Sequence, residues 1–413
     1  MYADCVVASF RLLLTAFACF PLFSSEAAPA KVAPVVVLIG LDGFRWDYLA
    51  KYHPPNLSRL AAAGVRAERM IASFPSLTFP NFYTLATGLR PERHGIVGNS
   101  FYDPEFKASF SLGSAAASDG KWWGGEPIWV TAEKQGVRAA CMFWPGSEAE
   151  IGGVRPSVWQ KFSMDFPIDR RVRAVLDWLA KPPGERPGLI TLYCHEVDTA
   201  SHRYGVDSPE VAQAVEQVDA AVGRLAEGVH GLGLDSVVNY VVVSDHGMTA
   251  LSPDRVIALS DLVDVNSVQV DFSGAVAGLR PLKGTAAELR KMLDAKARHF
   301  HVYLREEVPE RLHYRDNRRI PPVVLIADEG WMILKRPLLD DAAKKGFLRA
   351  THGFDPALPS MGATFIACGP AFKEGATIKP FENVEVYDLL CATLGLTPAS
   401  NDGGGHLAKQ VLK

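Results

Sequence analysis

Four runs of apolar residues along the chain lack the alternating polar positions of a half-exposed strand. They are VVVLIGLDGF (35–44), GLITLYCHEVD (188–198), NYVVVSDHGM (239–248) and GATFIACGP (362–370). Strands that are buried on both faces have this pattern, which is typical of a sheet covered by helices on both sides. We therefore predict an α/β fold with a mostly parallel central sheet between helices.

Helical periods follow or separate these runs. PPNLSRLAAAG (54–64) has the spacing of an amphipathic helix that ends at Gly64, and VYDLLCATLGL (386–396) predicts a helix near the end of the chain. In such folds ligands bind beyond the carboxyl ends of the strands. The first three apolar runs end in Asp42, Asp198 and the pair Asp245–His246. The functional site is therefore expected at that edge of the sheet.

Between residues 256 and 345 the pattern changes to short strand-like runs, one helical stretch (AAELRKMLDAKARHF) and basic clusters such as HYRDNRRIPP. We predict a small α/β insertion carried on the core. The alternative is a loop-rich continuation of the main sheet.

The N-terminus predicts an export signal. Arg11 precedes an apolar run (LLLTAFACFPLF), and small residues follow in SSEAAPA. The alternative, a retained membrane anchor, is disfavoured because Pro21 interrupts the run, which is short for a bilayer span of about 20 residues. We predict a signal peptide at 1–28, cleavage between residues 26 and 30, and a protein that is periplasmic or secreted without stable membrane association.

Composition narrows the possible partners. The chain has 413 residues, of which 48% are hydrophobic and 22% charged, and its formal net charge is −3. The sequence has no block of Lys and Arg residues, so its charge pattern does not indicate binding to long nucleic acid or to an anionic membrane. The cysteines outside the signal are far apart and form no CxxC pair, which predicts single buried thiols. Whether the protein is a monomer or an oligomer stays open.

Carboxylates and imidazoles at the strand ends suggest a metal site. Asp198 and His202 are four residues apart and would face the same way on a helix, while Asp245 and His246 are adjacent. Each feature alone also fits a helix cap or a turn, as do Asp42 and His352. Together, carboxylate and imidazole ligands without cysteine suit catalytic zinc.

The stretch FPSLTFPN (74–81) fits no regular element, because it contains two prolines and neither period. It surrounds one hydroxyl, that of Thr78, with apolar groups. We predict a loop that holds this side chain for chemistry.

Long motifs in order along the chain resemble the nucleotide pyrophosphatase/phosphodiesterase family of the alkaline phosphatase superfamily. They include LIGLDGFRWDYL, SFPSLTFPNFYTLATGLRPERHGIVGNSFYD, YCHEVDTASHRYG, VVSDHGM and THGFDP. The resemblance implies an alkaline-phosphatase-like core with residues 29–413 as catalytic domain, and two zinc ions. It implies the following ligands: Asp198, His202 and His352 for one ion, and Asp42, Asp245 and His246, with Thr78 bridging toward it, for the other.

The resemblance also implies the chemistry. Thr78 would be the nucleophile, and the Asn99 amide would donate to a phosphate oxygen. Aromatic walls for a nucleobase would be Phe79, Tyr193 and Phe162. The expected substrates are nucleotides or dinucleotides, cleaved through a covalent phosphothreonine to nucleoside 5'-monophosphates.

Alternatives with the same zinc site are a choline-phospholipid or glycerophosphodiester phosphodiesterase, and a phosphomonoesterase. A sulfatase is disfavoured because no CxPSR-like motif is present, and a non-catalytic binding protein is disfavoured because no expected group is missing. Two departures are visible. The disulfide-rich repeats and nuclease-like domain of large animal relatives are not found, and Lys121 is out of register with the lysine that some of them present to the nucleotide.

Overall fold

The main sheet is mixed and eight-stranded, and most of its strand pairs are parallel. Its strands, in spatial order, are β19 (Ala376–Ile378), β2 (Val65–Ala67), β18 (Phe365–Cys368), β9 (Val238–Val243), β1 (Val35–Leu41), β8 (Leu189–Cys194), β6 (Ala139–Met142) and β7 (Val158–Trp159). The central strands β1, β8 and β9 are completely buried, as their uninterrupted apolar sequences predict.

The register of this sheet positions the site. In the parallel ladders Leu41 lies opposite Cys194, and Gly40 lies opposite both Tyr193 and Val243. The three central strands therefore end at the same level, and the acidic residues that follow them emerge along one edge.

Helices cover both faces of the sheet and complete the core. They are α1 (Tyr48–Tyr52), α2 (Pro55–Ala63), α3 (Thr78–Thr87), α4 (Pro91–His94), α5 (Ile128–Lys134), α6 (Ile168–Leu179), α7 (Glu196–Tyr204), α8 (Pro209–Gly231), α9 (Leu259–Leu262), α10 (Ala286–Asp294), α11 (Glu385–Leu394) and α12 (His406–Val411). Short 3₁₀ helices are Ala115–Ser118, Gly120–Trp122, Arg305–Glu307, Glu310–Leu312 and Pro359–Met361. Gly64 ends α2, as predicted.

One local prediction was wrong. The stretch 74–81 is not entirely a loop, because Thr78 is the first residue of α3. Pro80 lies in the first turn of that helix, where the missing N–H of a proline costs no intrahelical hydrogen bond. The two prolines therefore mark the approach to a helix and its first turn.

A second sheet occupies much of the segment 256–345. It is antiparallel, with spatial order β12 (Val268–Phe272), β13 (Val276–Pro281), β15 (Val323–Ala327) and β14 (Phe300–Leu304). A separate hydrophobic cluster that includes Leu279, Leu293 and Leu325 packs between this sheet and α10. The boundaries of the insertion stay a prediction.

Short strand pairs complete the fold. They are β3 (Met70–Ile71) with β20 (Phe381–Glu382), β4 (Ser100–Asp103) with β5 (Ala108–Ser111), β10 (Thr249–Ala250) with β17 (Ala350–Thr351), and β11 (Val256–Ala258) with β16 (Met332–Leu334).

The computed structural model describes residue 1 and residues 33–338 and 344–413, and residues 33–413 form one compact unit. Apart from Met1, the predicted export signal lies outside the described residues. None of the helices within the described ranges is long and apolar enough to cross a bilayer. The described cysteines are free thiols, as predicted: Cys141, Cys194 and Cys391 are buried, and Cys368 is partly buried.

Candidate active site

Two groups of acidic and histidine side chains meet at the carboxyl edge of the main sheet. In each group the potential ligand atoms lie within 4.8 Å of one another. The groups are Asp198, His202 and His352, called the first metal group below, and Asp42, Asp245 and His246, called the second metal group. These are the residues that the family resemblance assigned to two ions, and their roles as ligands stay a prediction.

In the first metal group, α7 begins directly after β8 and supplies two side chains from one helical face. His202 Nε2 lies 3.4 Å and His352 Nε2 lies 3.7 Å from Asp198 Oδ1. The opposite ring nitrogens donate to backbone carbonyls: His202 Nδ1 to Ala350 at 2.8 Å, and His352 Nδ1 to Ser76 at 2.8 Å. Because a carbonyl can only accept, each Nδ1 carries a proton, which leaves Nε2 as the ring nitrogen that can bind a metal ion.

The second metal group comes from the ends of β1 and β9. His246 Nε2 lies 2.9 Å from Asp245 Oδ2 and 3.6 Å from Asp42 Oδ1, and its Nδ1 donates to the Gly247 carbonyl at 2.8 Å. The His246 ring stacks on that of His352, with centroids 3.5 Å apart. The two groups are therefore in direct contact.

The turn after β1 requires a glycine. Gly43 has φ of +64°, and a Cβ there would lie 3.0 Å from the Cα and Cβ of Asp198. Its N–H donates to Asp245 Oδ1 at 3.2 Å. A side chain at this position would combine left-handed strain with a clash against the first metal group.

Unsatisfied oxygens indicate that these groups fit metal ions. Asp42 Oδ1, Asp198 Oδ1 and Asp245 Oδ2 are buried without a hydrogen-bond partner among the described residues, and the 2.9 Å contact of Asp245 to His246 is not in hydrogen-bond geometry. Burying carboxylate oxygens without a partner is costly, and a bound cation would remove that cost.

Burial also shifts the pKa values of residues in both metal groups. Burial raises the pKa of Asp42 well above its ordinary value, and the charges of Asp245 and Asp198 raise it further. Burial lowers the pKa of His352 well below its ordinary value, and His246 and His202 add to this effect. Burial also raises the pKa of Asp198. A cation would favour both the ionised carboxylates and the neutral imidazole.

Thr78 lies beside the second metal group. Its Oγ1 is 3.3 Å from His246 Nε2, and its side chain is half-buried. Next to it, the Phe79 backbone N–H donates to Asn99 Oδ1 at 2.9 Å. Because this bond occupies the amide oxygen, the Asn99 NH₂ group remains available as a donor beside Thr78.

A cavity of about 330 Å³ opens next to Thr78, and Phe79, Tyr193 and Phe162 all line it. Phe162 packs edge-on against Tyr193, with ring centroids 5.7 Å apart. The structure thus brings the three predicted aromatic residues to one cavity. Lys121 does not line it and instead pairs with Asp119 at 3.1 Å.

The sequence reasoning missed several residues of this cavity. Trp123, Trp144, Glu148 and Lys161 also line it. The hydroxyl of Tyr193 donates to Asp42 Oδ2 at 2.6 Å, so one side chain contacts both the cavity and the second metal group. No sequence pattern marks this bond. It follows from the register of β1 against β8, which places Tyr193 beside Gly40, two residues before Asp42.

Two carboxylate–imidazole groups, an adjacent hydroxyl and an aromatic cavity at the carboxyl edge of an α/β sheet form a site of the kind found in metal-dependent hydrolases. Residues 36–355 match the family described as Type I phosphodiesterase / nucleotide pyrophosphatase. The chain belongs to this family.

Similar proteins agree with this assignment. The chain is 40% identical over 393 residues to ectonucleotide pyrophosphatase/phosphodiesterase family member 1 of Mus musculus, covering 92% of this chain and 43% of that protein. It is 38% identical over 395 residues to venom phosphodiesterase CdcPDE of Crotalus durissus collilineatus, covering 92% and 46%. The chain therefore spans less than half the length of these relatives.

Solved structures resemble the fold over the same range. Murine ectonucleotide pyrophosphatase/phosphodiesterase 5, an inactive threonine-to-alanine variant in complex with AMP, matches with a TM-score of 0.87 and 35% identity, covering 92% of this chain and all of that one. The human protein of the same name matches with a TM-score of 0.87 and 33% identity, with equal coverage. The predicted alkaline-phosphatase-like α/β core is thereby confirmed.

Proposed function

We propose that this protein is an exported, two-zinc phosphodiesterase that cleaves nucleotide phosphodiester and pyrophosphate bonds and releases nucleoside 5'-monophosphates. The observation that carries the proposal is the position of Thr78, whose Oγ1 is 3.3 Å from His246 Nε2 while the next residue, Phe79, lines the aromatic cavity. If the phosphorus atom of a nucleotide substrate lies next to Thr78 Oγ1, the nucleoside attached to it can enter that cavity.

Thr78 is the proposed nucleophile. Its Oγ1 loses the hydroxyl proton and forms a bond to phosphorus as the bond from phosphorus to the leaving oxygen breaks, which gives a phosphothreonine diester and the leaving group. Water then attacks phosphorus, the bond to Oγ1 breaks, and a proton returns to the threonine oxygen. The products are the leaving group and a nucleoside 5'-monophosphate.

Asn99 is the proposed donor to a phosphate oxygen. Its Oδ1 is fixed by the Phe79 N–H, so its NH₂ group is oriented before substrate arrives. A fixed donor stabilises charge that develops in the transition state without reorganising during the reaction.

Zinc is the proposed metal for both groups, held by Asp198, His202 and His352 and by Asp42, Asp245 and His246. Bound zinc would stabilise negative charge on oxygen and lower the pKa of coordinated hydroxyl groups and water. The chain itself contributes the orientation of each ligand, because every histidine is fixed through Nδ1.

The aromatic cavity supports a nucleotide substrate. Stacking of a base on an aromatic side chain is worth about 1–3 kcal/mol and tolerates different bases. Phe79 and Tyr193 would contact the base directly, and Phe162, a residue that is 40% exposed, would close the outer side. The AMP in the complex of the murine relative is consistent with such a ligand.

The test compares kcat/KM of the zinc-loaded protein on three nitrophenyl esters: of thymidine 5'-monophosphate, of phosphocholine and of phosphate. A large preference for the thymidine diester is expected. Preference for phosphocholine would move the substrate class to lipids, and preference for the simple phosphate would reject the diesterase assignment.

Export is proposed from the N-terminal signal pattern and from the names of the relatives, which are ectoenzymes and venom enzymes. Detection of activity and of a shortened N-terminus outside the cytoplasm would test it.

A further inference from the structure

We propose that residues 314–319, which we call the brace, hold the Asn99 loop and one wall of the aromatic cavity in their working positions. Tyr314 and Arg319 are then positioning residues, which act through other groups and touch no substrate. The inference rests on the proposed function and gives the segment 256–345 a role in the reaction.

Tyr314 connects the brace to both segments that carry the chemistry. It is fully buried, and its hydroxyl donates to the carbonyl of Val97 at 2.7 Å, two residues before Asn99. Its ring packs edge-on against Phe74, four residues before Thr78, with centroids 5.2 Å apart. One side chain thus contacts the segments of the proposed nucleophile and of the proposed phosphate donor.

Arg319 connects the same segment to the cavity wall. Its Nη1 donates to the carbonyls of Gly95 at 2.8 Å and Trp122 at 2.7 Å. Trp122 precedes Trp123, which lines the cavity. The planar guanidinium with its fixed donors suits this divergent set of acceptors, whereas a lysine ammonium is a flexible point charge.

The charge of Arg319 is balanced inside the protein. Its Nε donates to Asp103 Oδ2 at 2.7 Å, and Arg318 donates to both oxygens of the same carboxylate at 3.1 and 3.0 Å. Because Arg318 stays in place, replacing Arg319 leaves Asp103 with a partner. The change therefore removes the bonds to Gly95, Trp122 and Asp103, but the Asp103 carboxylate keeps its ion pair with Arg318.

The other side of the brace is fixed by Glu92. Its Oε2 accepts from the backbone N–H groups of Arg315 at 2.7 Å and Asp316 at 3.0 Å, and its own carbonyl accepts from Asn317 Nδ2 at 2.8 Å. The brace is thereby attached along its length to the region that it supports.

These contacts matter because residues 95–99 belong to no helix or strand. Only its last residue has a bond of the ladder type, since the Asn99 carbonyl accepts from the Leu112 N–H at 2.9 Å, so side-chain bonds from elsewhere help to position the rest of the segment. The carbonyls of Gly95 and Val97 accept from Arg319 and Tyr314 respectively. Two residues of the brace therefore hold the segment that leads to Asn99, while the Asn99 amide oxygen itself accepts from the Phe79 N–H at 2.9 Å.

The first experiment measures kcat and KM for Arg319→Met, Arg319→Lys and Tyr314→Phe on the ester that the wild type cleaves fastest. A misplacement of about 1 Å costs about 100-fold in rate, so we expect a loss of that order for Arg319→Met, with a raised KM from the loosened cavity wall. Arg319→Lys should recover part of the loss. Tyr314→Phe keeps the ring and is the milder variant if Arg319→Met does not fold. Lys291→Met, an exposed position on α10, is the control for loss of a cation in the same segment.

The second experiment is a double-mutant cycle with Asn99→Ala. If the brace acts through Asn99, Arg319→Met should lower kcat much less in the Asn99→Ala background than in the wild type. An equal loss in both backgrounds would overturn the proposal, as would folded brace variants with wild-type kcat and KM. A crystal structure of Tyr314→Phe or Arg319→Met tests the proposal without measuring activity, and an Asn99 in the same position as in the wild type would reject the role of the brace. A wild-type protein that cleaves none of the esters would reject only the proposed function.

Discussion

The hydroxyl of Tyr193 offers a sharp test of how the cavity and the second metal group are coupled. It donates to Asp42 Oδ2 at 2.6 Å in a buried environment. Tyr193→Phe removes this single donor and leaves an aromatic ring in the cavity. The substitution should therefore weaken metal binding more than nucleotide binding.

The magnitude follows from the charge on the acceptor. A hydrogen bond to an ionised group contributes about 1.5–3 kcal/mol, and removing the donor leaves a buried carboxylate oxygen without its partner. At about 1.4 kcal/mol per factor of ten, metal affinity at the second group should fall by about 10- to 100-fold, as is usual for residues that orient metal ligands. The KM for the nucleotide ester should stay within about twofold, because the stacking ring is retained.

The assay is competition for zinc against a chromogenic chelator, combined with kcat/KM measured at controlled free zinc. Tyr387→Phe is the matched control, since that buried hydroxyl bonds to Thr131 at 2.7 Å and accepts from the Ala399 N–H at 3.0 Å instead. Zinc affinity in Tyr193→Phe equal to that of the control, or a loss confined to KM, would refute the coupling.

Three further predictions concern the same site. Thr78→Ala should lower kcat by several orders of magnitude while two zinc ions stay bound, measured by turnover and metal content; near-normal turnover would reject the nucleophile. Phe79→Ala should raise KM for the thymidine ester by about 5- to 100-fold with little change on nitrophenyl phosphate, and equal effects on both would place the base elsewhere. Removing metal with a chelator should lower Tm more strongly as pH rises above 3.8, the ordinary pKa of an Asp carboxyl. Burial raises the pKa of Asp42 in the folded protein, so the metal-free protein loses stability as pH rises from 3.8 through the raised pKa. A Tm difference between metal-free and zinc-loaded protein that does not depend on pH would contradict this.

The sequence was sufficient where chemistry coincides with a simple pattern. The apolar runs identified the central strands, and their polar ends identified the edge at which Asp42, Asp198 and Asp245 meet. The spacing of Asp198 and His202 predicted their shared helical face, which α7 provides.

Other features of the site have no sequence signature. The carbonyls of Ser76, Ala350 and Gly247 fix the three histidines, but every residue has a carbonyl, so only the three-dimensional arrangement selects these. Likewise, Trp144 reaches the cavity from the loop after β6, far from Phe79 in sequence. The start of α3 was missed because prolines near a helix start resemble those of a loop.

The bond from His352 Nδ1 to the carbonyl of Ser76 links two parts of the chain that are 276 residues apart. Ser76 lies two residues before Thr78, so the segment that carries the hydroxyl cannot swing outward without breaking the support of an imidazole in the first metal group. Local opening of this region is therefore cooperative. Native-state fluctuations that move the segment of Ser76 and Thr78 away from His352 also break the bond to His352 Nδ1. A ligand bound to His352 Nε2 would hold the imidazole in place and would therefore lower the population of molecules in which this segment is displaced.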